Sequence, residues 1–147
     1  MHAKMLHEPR RMSLVELPDP LPGPGEVVVR VEAGSMCGSD FEGYRGIHPQ
    51  VTYPRVLGHE FAGTVIGSGD GVRTPATGTR VCGQGGGVCR CCEACRAGRP
   101  ERGRQRGMTG FTAHGAYAEH ISAGEIPMAR RVRYVGSTRS SVEDSVP

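Results

Sequence analysis

Gly58-His59-Glu60-Phe61-Ala62-Gly63, followed by Gly69 and Val72, says more about the architecture of this chain than any other segment. Cys37-Gly38-Ser39-Asp40 lies upstream, its Cys twenty-two residues before His59. A thiol and an imidazole each stand on a Gly-flanked turn, with one strand-sized interval between them. That arrangement suits an open metal site, in which zinc keeps three protein ligands and leaves one position for water or substrate. Singly, each residue is ordinary: a Cys passes for a small buried hydrophobe, Ser and Asp for helix caps, a His for a satisfied core residue. Together, with the glycine spacing, they point to a metal.

Working outward, Glu26 to Ala33 is the clearest strand. Val27, Val29, Val31 and Ala33 alternate onto one face, with Arg30 and Glu32 beside Val28 on the other. Ala3 to Leu17 reads as two short strands around Pro9-Arg10-Arg11, and Pro18 to Gly25 as a turn-rich connector. Gly38 to Tyr44 is predicted as a short helix with Ser39 or Asp40 as its N-cap. Further strands are expected over Glu60 to Ile66, Thr79 to Cys82 and Ala116 to Ile121, with a loop from Gly83 to Gly110.

Composition agrees with a mainly β fold. The 147 residues suit one domain on the usual prior of about 100–200 residues. Gly (23) and Pro (11) are abundant, which favours a turn-rich β architecture over a helical bundle. Trp is absent and aromatics are sparse, so Val, Leu, Ile and Ala must make the core. A net charge of +3 is too small to argue for a polyanionic partner. The arginines at 96, 99, 102, 104 and 106 have no interleaved aromatic residue, so a solvated loop is preferred to an RNA-binding surface. No apolar signal core opens the chain and no run approaches a membrane span, so no membrane partner is expected.

Cys89, Cys91, Cys92 and Cys95 fall within seven residues, too close for a disulfide framework but suited to thiolate ligation. A reducing, cytoplasmic location follows as an expectation.

The two motifs together resemble the signature of the zinc-dependent medium-chain alcohol and polyol dehydrogenases. Pro22-Gly23-Pro24-Gly25-Glu26, Tyr53-Pro54 and Gly115-Ala116-Tyr117-Ala118-Glu119 extend the resemblance over residues 1–127. It implies a mainly β, GroES-like β-barrel with short helices, and residues 128–147 form an unassigned Arg- and Ser-rich tail. It also implies zinc held by Cys37 and His59, with Glu60 the in-chain candidate for third ligand; in some members a residue beyond the barrel serves instead. Ser39 would pass the alcohol proton and Asp40 would orient His59. Glu42 stands where many members have a relay His. The implied reaction is hydride transfer from an alcohol or polyol to NAD(P).

Two departures accompany the resemblance. Cys89, Cys92 and Cys95 fill the first three positions of the family's structural-zinc lobe, but the fourth falls on Gly103. Either Cys91 or Cys82 substitutes, or the lobe is degenerate. The Rossmann half is also absent: no Gly-x-Gly-x-x-Gly run occurs in the chain. Two accounts stand open, a truncated or frame-shifted member and a barrel that receives its cofactor domain from a second polypeptide. The chain alone is expected to have little dehydrogenase activity. The competing reading is a non-catalytic zinc-binding or interaction module.

Overall fold

A computed structural model describes residues 1–84, 92–99, 102, 107–124 and 129–130. Strands β1 (His2–Glu8) and β2 (Arg11–Glu16) form the expected hairpin. The two-residue β4 (Arg55–Val56) adds to the other edge of β1, giving a three-stranded sheet of order β2-β1-β4. β3 (Glu26–Gly34), β5 (Glu60–Ser68), β6 (Arg80–Gln84), β7 (His120–Gly124) and β8 (Ala129–Arg130) form an antiparallel sheet of order β7-β3-β5-β6-β8. α1 (Gly38–Arg45) follows β3, and the one-turn α2 (Glu93–Arg96) follows β6. The architecture is mainly β with short helices, as expected.

The segment before β7 joins the two sheets. The Lys4 N–H donates to Tyr117 O at 2.7 Å, Glu119 N–H to His2 O at 3.0 Å, and Val31 N–H to Glu119 O at 2.8 Å. One short stretch therefore pairs with β1 on one side and β3 on the other, closing the barrel. The main core lies within the larger sheet: Val27, Val29, Phe61, Val65, Val81, Ile121 and Ala123, with Ala116. A second cluster of Leu6, Val51, Leu57 and Phe111 fills the space beneath α1 and the sheet crossing. Burying a large aliphatic or aromatic side chain contributes about 1.5–3 kcal/mol, so these clusters carry the fold without Trp.

Several boundaries differ from the sequence reading, for identifiable reasons. Val28 is buried along with Val27 and Val29, because the β3–β5 register slips between Val28 and Val29. The last strand expected before the tail begins at His120 instead of Ala116, since residues 116–119 serve the sheet junction. α2 interrupts the segment read as loop, and Ala129–Arg130 of the tail pairs with Val81 and Cys82 of β6. β4 is too short to show a period.

The register of β3 against β5 builds the site. Gly34 lies opposite Phe61 and Ala33 opposite Ala62, so the end of β3 and the start of β5 are neighbours. The strands approach closely at Gly63, where a Cβ would run into the Arg30 carbonyl. Residues leaving β3, 35 to 37, thus meet residues entering β5, 59 and 60.

Candidate metal centre

Cys37, His59 and Glu60 each offer a ligand atom, and the three atoms lie within 4.8 Å of one another. Cys37 arrives on the turn that starts α1; His59 and Glu60 arrive where the chain crosses from β4 in one sheet to β5 in the other. Gly58 makes that crossing at φ +91, and a Cβ there would sit 2.6 Å from the Tyr117 ring. Both facts call for glycine.

The α1 N-terminus corrects one expectation. The N-cap is Cys37, not Ser39 or Asp40. The Cys37 side chain accepts the N–H of Asp40, and the Asp40 carboxylate reciprocates by accepting the Cys37 N–H through Oδ2 at 3.0 Å. This is a capping box with Cys in place of Ser or Thr. The usual ranking of caps favours Ser and Asp, and here it places the cap two to three residues late.

Asp40 is 2% exposed and bonds beyond its own helix. Its Oδ1 accepts the buried Gly58 N–H at 3.0 Å, so one carboxylate ties the Cys37 turn to the His59 turn. His59, 5% exposed, has Nδ1 at 3.4 Å from the same Oδ1. That contact is not aligned as a hydrogen bond, and among the described residues the buried Nδ1 has no hydrogen-bond partner. An unpartnered buried polar nitrogen costs about 1–3 kcal/mol, and a histidine ligand beside a carboxylate is where such a cost is ordinarily recovered. Phe111, fully buried, meets the His59 ring edge-on with centroids 5.2 Å apart.

Thiolate, imidazole and carboxylate are all usual zinc ligands, and three of them leave a fourth position open. Ligand bonds of about 2.0–2.3 Å make small side-chain rotations enough to seat one ion. The donor set therefore fits zinc. Ser39 is half-buried on the first turn of α1, two residues from Cys37, and its hydroxyl makes no hydrogen bond among the described residues. Glu42 points outward on the same helix and is exposed.

Two residues at this corner escaped the sequence reading as participants. Ser35 donates through its hydroxyl to the Glu60 carboxylate. Tyr117 donates to the Ser35 carbonyl at 3.2 Å. Burial raises the Tyr117 phenol well above its usual pKa, reinforced chiefly by the Asp40 carboxylate, so it stays a donor. Tyr117 was visible only as part of the Gly115–Glu119 run; Ser35 carried no signal.

Of the second cysteine cluster, Cys92 is half-buried just ahead of α2. Cys89, Cys91, Gly103 and the Cys95 side chain lie outside the described residues. Cys82 is half-buried within β6.

With this geometry in place, the comparisons with known proteins are direct. The alcohol dehydrogenase GroES-like domain family matches residues 23–129. The chain belongs to the zinc-type medium-chain alcohol dehydrogenases, of which it carries the N-terminal, GroES-like part. It is 34% identical over 139 residues to the starvation-sensing protein RspB of Escherichia coli, covering 91% of this chain and 41% of that protein. It is 37% identical over 111 residues to an L-threonine 3-dehydrogenase of Deinococcus radiodurans, covering 74% of this chain and 32% of that enzyme. A crystal structure of an Escherichia coli alcohol dehydrogenase, rspB, complexed with NADH superposes with a TM-score of 0.80 at 32% identity. That match covers 92% of this chain and 40% of the solved one. The chain thus spans about a third to two fifths of the length of these relatives. Among the described residues no helix is long and apolar enough to cross a membrane.

Proposed function

We propose that this chain is the metal-holding half of a zinc-dependent dehydrogenase that oxidises an alcohol or polyol with NAD(P). The observation that carries the reading is the convergence of Cys37, His59 and Glu60 around a common point, on two turns locked together by buried Asp40. The homologues include alcohol, threonine and polyol dehydrogenases, which supports the reaction class.

Cys37, His59 and Glu60 hold the zinc. Bound there, zinc supplies Lewis-acid polarisation of the alcohol oxygen. Asp40 fixes the spacing of the two turns and presents negative charge to the His59 ring, which raises its basicity as a ligand. Ser39, two residues from Cys37 with an uncommitted hydroxyl, accepts the alcohol proton and hands it to solvent. Glu42, exposed and nearly one turn further along, is the next acceptor available on that helix. Met36 and Phe41, 75% and 53% exposed and flanking Cys37 in sequence, support a corner that becomes covered in the working enzyme.

Zinc content per chain after exhaustive dialysis tests the proposal. The expected result is at least one zinc per wild-type chain and one fewer in Cys37→Ser. Equal zinc content in the two proteins would sink it.

A further inference from the structure

The Glu60 carboxylate is the least constrained of the three donors. Cys37 is fixed as an N-cap and His59 is buried against Phe111, whereas Glu60 is half-exposed on the first residue of β5. Glu has three side-chain torsions, and any freedom left in them must be given up when an ion binds. Among the described residues the carboxylate has one hydrogen-bond partner, the hydroxyl of Ser35.

Ser35 is itself held from both sides. Its N–H donates to the Glu60 carbonyl at 3.1 Å, which extends the β3–β5 ladder by one step beyond Gly34. Its carbonyl accepts the Tyr117 hydroxyl at 3.2 Å. The backbone of Ser35 is therefore clamped between strand and phenol, and its hydroxyl is aimed at Oε2 of Glu60. A carboxylate has about four lone-pair positions, so one bond from Ser35 orients the group and leaves Oε1 available.

We infer that Ser35 is a positioning residue for the third metal donor: its hydroxyl holds the Glu60 carboxylate in ligating range of Cys37 and His59 and so sets how tightly the site holds its ion. The inference rests on the metal-site reading above. It adds a residue that contacts neither metal nor substrate.

Cobalt(II) titration against a competing chelator, followed by the cobalt absorption bands, tests this on the full chain. The proteins are wild type, Ser35→Ala, Ser35→Thr, Glu60→Gln and the Ser35→Ala/Glu60→Gln double variant. Loss of a ligand's hydrogen-bond partner commonly weakens metal affinity by about 10- to 100-fold. Because Ser35 is exposed, about tenfold weakening is expected for Ser35→Ala, with affinity retained in Ser35→Thr. In the Glu60→Gln background, loss of the hydroxyl should cost less than about twofold, because the two residues act as one unit. A merely structural role for Ser35 would give the same loss in both backgrounds. Either that result or unchanged affinity in Ser35→Ala, with one ion bound by wild type, overturns the role of Ser35 alone. A wild-type chain that takes up no cobalt overturns the metal-site reading and this inference together.

Discussion

Two Asp–His pairs sit in different parts of this molecule, and the looser one matters more. At one, His120 Nδ1 and Asp19 Oδ1 are 2.8 Å apart, a well-formed contact between side chains 24% and 66% exposed. At the other, His59 Nδ1 and Asp40 Oδ1 are 3.4 Å apart and poorly aligned, yet the side chains are 6% and 2% exposed. The short pair ties the Pro-rich connector to β7. It borders a cleft of about 530 Å³ lined by Leu17, Leu21, Val56, His114 and Ser122, with none of the metal donors. The long pair organises two buried turns. The proposed site therefore lies at neither the shorter contact nor the open cleft but where burial coincides with convergent donors.

The largest effect is expected at Asp40. Asp40→Ala strips the acceptor from the buried Gly58 N–H and from the Cys37 N–H, and removes the charge beside His59. A loss of about 3 kcal/mol in unfolding free energy is expected from leaving such groups unpaired, read by urea denaturation. Asp40→Asn keeps one acceptor oxygen and should recover about half of that. An Asp40→Ala protein as stable as an Asp19→Ala protein would remove the distinction between the pairs.

Gly58→Ala comes next. The residue must hold φ +91 while its new methyl meets the Tyr117 ring. Strain of this kind costs about 1–3 kcal/mol. Thermal unfolding should show a clear drop in midpoint, and zinc content should fall because His59 is displaced. The matched substitution Gly71→Ala separates the two causes: Gly71 also has positive φ, at +80, but no atom of the described residues lies within 4 Å of its Cβ position. It should lose only the backbone part and keep its zinc.

How much of this corner could be read from sequence follows the same division. Cys37 and His59 stood out because glycines flank them at a set spacing along the chain, and spacing is what a sequence displays; Glu60 entered only through the family resemblance. Asp40 was legible as a residue at the site, but its work as tie between two turns depends on the β3–β5 register, which brings residues 35–37 against 59–60. The N-cap was misassigned because propensity ranks Ser and Asp ahead of Cys. Ser35 and Phe111 gave no signal at all: each acts through a contact across at least 25 residues, made only when the barrel closes. The strands were readable wherever they alternate, and their ends blurred where the register slips at Val28 or where two-residue strands such as β4 and β8 are defined only by their partners.

The smallest expected effect lies at the exposed pair. The hydrogen bond from His120 is the main cause holding the Asp19 carboxyl below its usual pKa of 3.8, with charge from the chain's amino terminus and from His120 assisting. A carboxyl with a lowered folded-state pKa stabilises the fold above its unfolded value and loses that contribution as pH falls through the folded value. The stabilisation from Asp19 is therefore complete at neutral pH and fades below pH 3.8. Exposed ion pairs contribute little and are screened by salt. Asp19→Asn should thus leave zinc content unchanged and lower the unfolding midpoint only slightly at pH 7. That difference should shrink toward nothing in acid and in high salt. A large loss at pH 7, comparable to that of Asp40→Ala, would mean that the connector latch and not the buried crossing organises this end of the barrel. The geometry argues against that outcome: among the described residues the Asp19 carboxylate meets the His120 ring and, at 3.6 Å, the chain's amino terminus, whereas Asp40 accepts the buried N–H of Gly58.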